Sequence, residues 1–279
     1  MKVINSEYKK RNMKIWNEVA PRYHKRWASV NKGPFQSTKK LIELIKINKN
    51  NLILDVACGT GVVTKQIQKK IGKSGYVIGI DTSTTAIKIA KKENEKNKNL
   101  DFLNADAENF SFSKKFDIVT CQYALFFFPN EQKVLKNMKK FLKKNGTITL
   151  AVHGKYNVPY FDCILESVKK FIPNYLPKYP EMDRFGTKET FAGAIKKAGF
   201  SKIIVKKFVF KYSPGTFSEY WNNYKKHLSK PLKEKFDSLT KFQKANLREM
   251  VKDKTIQYTK NDGKIVFPWE VLVLTAKNE

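Results

Sequence analysis

Residues 52–61 read LILDVACGTG: an apolar run that ends in Asp55, followed by a turn of small residues. Residues 76–83, YVIGIDTS, repeat the plan as a second apolar run ending in Asp81. A strand that ends in a glycine-bearing turn lets a ligand approach the backbone closely. An acid at the end of the next strand can hold two vicinal ribose hydroxyls. The pair therefore predicts a parallel α/β unit that binds a nucleoside-containing cofactor.

The glycine spacing narrows the choice. A dinucleotide site needs G-x-G-x-x-G, with a pyrophosphate on the helix N-terminus. Gly59 and Gly61 supply the first two glycines, but Thr64 stands where the third would fall. Asp55 precedes the turn, where a pyrophosphate would meet repulsion and a cationic group, such as an amine or a sulfonium, would not. The turn Asp55-Val-Ala57-Cys58-Gly59-Thr60-Gly61 resembles motif I of class I S-adenosylmethionine (SAM) dependent methyltransferases. Members often carry glycine where this chain has Ala57. The resemblance implies S-adenosyl-L-methionine as cofactor, held by Asp55, Ala57, Cys58, Gly59, Thr60 and Gly61, with Asp81 and Thr82 at the ribose. Residues 105–108, Ala-Asp-Ala-Glu, resemble the family's adenine-binding corner. There the acid, here Asp106, takes the exocyclic amine, and the N–H of the next residue, here Ala107, faces a ring nitrogen. Gln122, at the end of FDIVTCQ (116–122), completes the implied cofactor set.

The order of the remaining segments agrees with that family. Leu100–Asn104 reads as a third strand, 116–122 as a fourth, and Asn145-Gly146 opens a fifth where the family usually shows Pro-Gly-Gly. Val62–Ile71 and Ser83–Asn97 read as helices, with Ser83 a good N-cap. A helix from Thr187 to Ala198 opens on Thr187-Lys-Glu-Thr and closes at Gly199. Strands over 201–212 and 264–275 have no core helix between them, which predicts an antiparallel pair at one edge. The expected fold is α/β: a doubly wound, mostly parallel, seven-stranded sheet with an antiparallel edge strand and helical lid elements. The whole chain, 1–279, reads as one domain: N-terminal helices over 1–50, a cofactor-binding core over 51–152, and lid or substrate insertions at 153–186 and 213–262. Within the first segment Ile15, Val19, Tyr23 and Trp27 mark one helix face, and Pro21 predicts a break into two short helices.

Composition excludes several classes. No apolar run is long enough to span a membrane, and the first residues lack the apolar core of a secretory signal. Cys58, Cys121 and Cys163 are odd in number and without C-x-x-C spacing, so neither a metal site nor a disulfide framework is expected, and a reducing cytoplasm fits. The net charge of +30 suggests polyanion binding, yet the charge is almost all lysine, spread along the chain, with only Arg11, Arg22, Arg26, Arg184 and Arg248 as arginines. Specific phosphate readers favour arginine forks. Abundant Lys and Asn together point to a coding bias, so no specific nucleic acid is expected.

The chemistry asks for in-line approach of an acceptor, exclusion of water and, where the acceptor loses a proton, a base. His153, directly after the fifth strand, is the candidate catalytic base, with a capping role as its plain alternative. Tyr23 matches a tyrosine in the family's N-terminal A-x-x-Y element, which typically closes over the methionine moiety. His24 reads as solvent-facing, and His227 lies in the second insertion. Tyr123 and Phe127, in the aromatic stretch after the fourth strand, and Trp27 are the candidate substrate contacts. Together WNEVAPRY, DVACGTG and CQYALFFFP resemble the methyltransferases related to ubiquinone and menaquinone C-methylation, over residues 12 to about 155. Quinone enzymes tend to carry a G-L-R-N-like stretch where this chain has Ala124-Leu125-Phe126-Phe127, so the resemblance stops short of the substrate. The leading expectation is methyl transfer to a small-molecule acceptor, aromatic or lipid-like. An RNA methyltransferase and a noncatalytic SAM-fold binding module remain as alternatives, and the oligomeric state is open.

Overall fold

The computed structural model describes residues 2–28, 35–154, 158–174, 184–226, 228 and 230–279. His227, residues 29–30, Pro177 and Pro180 lie outside the described residues.

Five apolar segments form the parallel part of the sheet: β1 (Leu52–Val56), β2 (Tyr76–Asp81), β3 (Leu100–Asn104), β4 (Phe116–Gln122) and β5 (Leu142–His153). Two longer strands, β6 (Ser201–Thr216) and β7 (Lys264–Lys277), follow. The order across the sheet is β3-β2-β1-β4-β5-β7-β6. Strands β1 to β5 pair in parallel, whereas β7 runs antiparallel to both β5 and β6. The expected antiparallel portion is thus the β7/β6 pair. The order turns back between β1 and β4, and open α/β sheets bind ligands outside the carboxyl ends of the strands at such a point.

The connecting helices follow from apolar spacing and caps. In α3 (Val62–Ile71), Val63, Ile67 and Ile71 fall four apart and are buried. Each such aliphatic side chain contributes on the order of 1.5–3 kcal/mol by leaving water. Ser83 caps α4 (Thr84–Glu93), its Oγ accepting from the Ala86 N–H at 3.1 Å. Asn130 caps α5 (Glu131–Phe141) in the same way. Thr187 and Thr190 form a reciprocal capping box at α7 (Lys188–Lys197). Helices α2 (Gln36–Leu44) and α6 (Pro159–Phe171) precede β1 and follow β5, and α8 (Phe217–Lys226), α9 (Lys230–Asp237) and α10 (Lys241–Thr255) fill the insertion between β6 and β7.

The N-terminal segment departs from expectation. It is one helix, α1 (Lys2–Trp27), which runs through Pro21. Proline there removes the N–H that would bond the Asn17 carbonyl and costs about 3 kcal/mol in an isolated helix. Contacts along the whole helix offset that loss. Asn17 Oδ1 accepts from Ser83 Oγ at 2.8 Å and from the Thr85 N–H at 3.1 Å. Glu18 Oε1 accepts from the Lys230 N–H at 2.9 Å, and the Trp16 and Tyr23 rings meet edge to face at 5.4 Å.

Candidate active site

The turn after β1 shows why the motif has its composition. Ala57, Gly59 and Gly61 all take positive φ, at 55°, 56° and 82°. Ala57 holds a left-handed conformation that glycine adopts without penalty, which explains why glycine is common there in the resembling family. Gly61 serves packing: a Cβ on it would lie 2.6 Å from Cζ of Phe102 on β3. At Gly59 a Cβ would meet nothing within 4 Å. Gly59 lines an open cavity at the carboxyl ends of β1, β2 and β4.

The two acids of the motif are placed differently. Asp55 is buried, and its oxygens accept from Thr64 Oγ1 at 2.6 Å and Thr120 Oγ1 at 2.7 Å. Burial outweighs these bonds and pushes its carboxyl up to about 6. Asp81 accepts the Gly59 N–H at 2.9 Å through Oδ2 and the Ser83 N–H at 2.8 Å through Oδ1. Burial raises its carboxyl, with those backbone donors opposing. Each oxygen keeps a lone pair for a ligand hydroxyl. Thr60 and Thr82 line the cavity beside them. Cys58 lines it too, with its thiol pushed well up by burial, so it stays an unreactive thiol.

Ala107 lines the cavity at its other end. Its neighbour Asp106 does not: Oδ2 accepts from Lys9 Nζ at 2.9 Å and Oδ1 from the Glu108 N–H at 2.9 Å. Much of the remaining wall is aromatic, among small and aliphatic residues such as Val62, Ile80, Ala86 and Ala124. Trp16 and Tyr23 of α1, Phe35 before α2, and Tyr123, Phe127 and Phe128 after β4 surround it. Tyr123 holds φ of 57°, a strained value for a bulky residue, and its hydroxyl pairs with Ser37 Oγ at 2.7 Å. Gln122, also at the wall, donates to Thr38 Oγ1 at 3.0 Å. Among the described residues lining the cavity there is no Lys, Arg or His.

Two expected residues lie elsewhere. Trp27 is buried past the cavity mouth, within 5.3 Å of the Tyr212 ring and 6.1 Å of Trp269. It sits one helical turn beyond Tyr23 on the same face, where it reaches the β6/β7 ribbon, and it is not among the residues lining the cavity. His153 is buried behind Tyr123, their rings stacked at 4.4 Å, and its Nδ1 accepts the Trp269 Nε1–H at 3.2 Å. Burial pulls its imidazole down to about 3. A neutral ring with its one lone pair engaged is no proton acceptor, so this geometry opposes a role as base. His24 is not simply solvated either: Nδ1 lies 2.9 Å from Thr60 Oγ1.

The described part of 213–262 contributes no residue to the cavity wall. Tyr220, Trp221, Tyr224 and Phe236 pack inward, with Tyr220 fully buried against Tyr160 and Phe267, whereas Phe242 is exposed. The insertion braces α1 from outside through Lys230 and through Leu228, whose carbonyl accepts from Arg22 at 3.5 Å. Motif reasoning missed Asn12 and Lys9, because contacts made by a helix laid across the site leave no local signature, and it missed Phe35, which lies just before α2. Trp16 was recognisable as an aromatic on a polar helix.

Known proteins agree with this geometry. A family profile described as a methyltransferase domain matches residues 47–208, more than half of the chain. Demethylmenaquinone methyltransferase of Lactococcus lactis is 29% identical over 215 residues, 72% of this chain and 80% of that protein. The Staphylococcus epidermidis protein of the same name is 28% identical over 183 residues, 61% of this chain and 76% of the relative. Among solved structures, the YcgJ protein of Bacillus subtilis superposes with a TM-score of 0.59 at 15% identity, covering 87% of this chain and 97% of that one. Phosphoethanolamine N-methyltransferase 2 of Haemonchus contortus gives 0.57 at 17% identity, covering 92% of this chain and 56% of that one. With the glycine-lined cavity, the paired acids and the sheet order in hand, the chain belongs to the methyltransferase-domain family, as a class I enzyme that moves the methyl group of S-adenosyl-L-methionine to a small-molecule acceptor.

Proposed function

We propose that the acceptor is a planar, electron-rich ring on an apolar or lipid-like molecule. One observation carries this reading: the acceptor side of the cavity is walled by Trp16, Tyr23, Phe35, Tyr123, Phe127 and Phe128, with no cationic side chain among the described lining residues. Aromatic faces accept a flat apolar body at edge-to-face or offset distances, and a phosphate or carboxylate would find no partner. The names of the bacterial relatives agree, since demethylmenaquinone carries such a ring. The RNA alternative gains no support, because no cationic side chain stands among the described lining residues to pair with a phosphate.

In this reading Asp81 takes the ribose hydroxyls, and the open face of Gly59 admits the cofactor against the backbone. Asp55 supplies negative potential near the cationic end, and Ala107 offers its N–H to the base. The cofactor supplies an already activated methyl group, so the protein's part is placement and dryness. Burial raises the Tyr23 and Tyr123 phenols, so both stay protonated; the Tyr123 hydroxyl is engaged with Ser37 Oγ, and Tyr23 can orient an acceptor oxygen. No described residue on the wall is poised as a base, which suits an acceptor that ionises readily by itself. Helix α1 serves as the lid. The three cysteines, all free and buried, accord with a cytoplasmic enzyme.

The test is to incubate the protein with cell extract and a cofactor bearing a deuterated methyl, then to sort labelled products by mass. Label in an aromatic species of the organic extract is expected. Label in RNA, or in a phosphorylated amine, would overturn the reading.

A further inference from the structure

We propose that Lys9 is a positioning residue for the cofactor, clamping α1 across the nucleoside end of the cavity by bridging Asp106 and Glu108. The inference rests on assigning Asp106 and Ala107 to that end.

Lys9 Nζ lies 2.9 Å from Oδ2 of Asp106 and 2.8 Å from Oε2 of Glu108. The Glu108 side chain is only 9% exposed, and its Oε1 is buried without a hydrogen-bond partner. Lys133, the next cation, stands at 3.8 Å from Oε2. Lys9 thus neutralises a carboxylate that burial has cut off from water. An unpaired charge there would drive the helix and the corner apart.

The clamp acts on the wall itself. Asn12 and Trp16 follow Lys9 by three and seven residues on α1, one helix face, and both line the cavity. Ala107, between the two clamped acids, lines it opposite. Further pins hold the same helix farther along: Asn17 to Ser83 and Thr85, Glu18 to the Lys230 N–H, Arg22 to the Leu228 carbonyl, and His24 to Thr60. Those are hydrogen bonds, whereas the Lys9 pin is an ion pair, about one-third exposed on its Asp106 side, with side-chain exposures of 30% for Lys9 and 36% for Asp106. Salt therefore weakens this end of the lid selectively. An exposed pair alone contributes little to stability. Its effect is on exit: a bound nucleoside leaves only when the first half of α1 lifts.

S-adenosylhomocysteine is the probe. Its affinity and dissociation rate are measured for the wild type, Lys9→Met and Lys9→Arg, at low and high salt. Lys9→Met is expected to weaken binding about tenfold, the scale of one charge-assisted hydrogen bond, and mostly through faster dissociation. Lys9→Arg restores the wild-type rate. The wild-type dissociation rate rises with salt, and that of Lys9→Met stays flat. Should Lys9→Met bind tighter, lysine competes with the nucleoside and the proposal fails. Equal salt dependence in the three proteins, or a fall in melting temperature with unchanged affinity, also overturns it. Asp106→Asn separates the premises. Unchanged affinity in that variant sinks the nucleoside assignment and the clamp with it, whereas weakened affinity there with a silent Lys9→Met sinks the clamp alone.

Discussion

Gly59 and Gly61 stand two residues apart with the same sign of φ, yet the structure gives them different duties, and alanine at each separates the two. At Gly61, with φ of 82°, a left-handed alanine costs about 1–2 kcal/mol. The new Cβ would also stand 2.6 Å from Phe102 Cζ and 2.8 Å from Cε1, and such overpacking adds about 1–3 kcal/mol. Lower entropy of the unfolded chain returns about 0.4–1 kcal/mol. Gly61→Ala should therefore lose about 2–4 kcal/mol of stability. At Gly59, with φ of 56° and nothing within 4 Å of the added Cβ, the strain cost stands without a clash, and the net loss is about 1 kcal/mol. That Cβ instead enters the space assigned to the cofactor. Urea unfolding gives the two stabilities, and calorimetry with S-adenosylhomocysteine gives the affinities. Gly61→Ala is expected to be the less stable protein and Gly59→Ala the weaker binder relative to its stability loss. Equal stabilities would refute the Phe102 argument, and wild-type affinity in Gly59→Ala would remove Gly59 from the contact surface.

Other outcomes follow from the same geometry. Asp81→Ala should lose about 1.5–3 kcal/mol of cofactor affinity in calorimetry, and binding of NAD by the wild type would end the SAM assignment. Asp55 has a folded value of about 6 against an ordinary 3.8, so the unfolded chain releases this proton first and stability falls as pH rises from about 4 to 6. The fall is on the order of 3 kcal/mol, and Asp55→Asn should remove it; parallel unfolding profiles for the two proteins between pH 4 and 7 would contradict the burial argument. His153→Asn should keep methyl transfer within about tenfold of wild type, with no new pH dependence between 6 and 7, because a general base would contribute about a hundredfold or more. RNA binding measured by anisotropy should be weak and steeply salt-dependent, without sequence preference; a nanomolar, selective complex at physiological salt would restore the RNA alternative.

Where a residue's environment is built locally, sequence reading reached it. Val63, Ile67 and Ile71 announce the inner face of α3, Ser83 announces the start of α4, and the Asp55-to-Gly61 turn announces the loop that lines the cavity. These features depend on neighbours within one turn or one strand. The failures all concern distant partners. Pro21 is a breaker by local rules, and α1 stays whole because Asn17, Glu18 and Trp16 are held by residues far along the chain. Trp27 shares a helix face with Tyr23, but it does not line the cavity and its ring packs against Trp269. His153 falls at a strand end where catalytic groups gather, and only the position of Trp269 on β7 shows that its lone pair is engaged.

The charge of the chain finds its meaning in the same contrast between surface and site. Lys and Arg number 55 against 25 acids, yet the described cavity wall holds Asp55 and Asp81 and no base. Burial alone does not explain this, because burial disfavours both signs. Acids retained while bases are kept out leave a cavity of negative potential inside a positive molecule. A sulfonium is stabilised there, and an anionic acceptor would be attracted by the surface only to be repelled at the site. Lys9 is the basic residue the structure brings nearest in role to the cofactor, and it does so by turning outward to Asp106 and Glu108, whose charge it neutralises. Lys9 apart, the lysine excess lies away from the described cavity wall, and in the proposed reading acceptor choice falls to its aromatic residues.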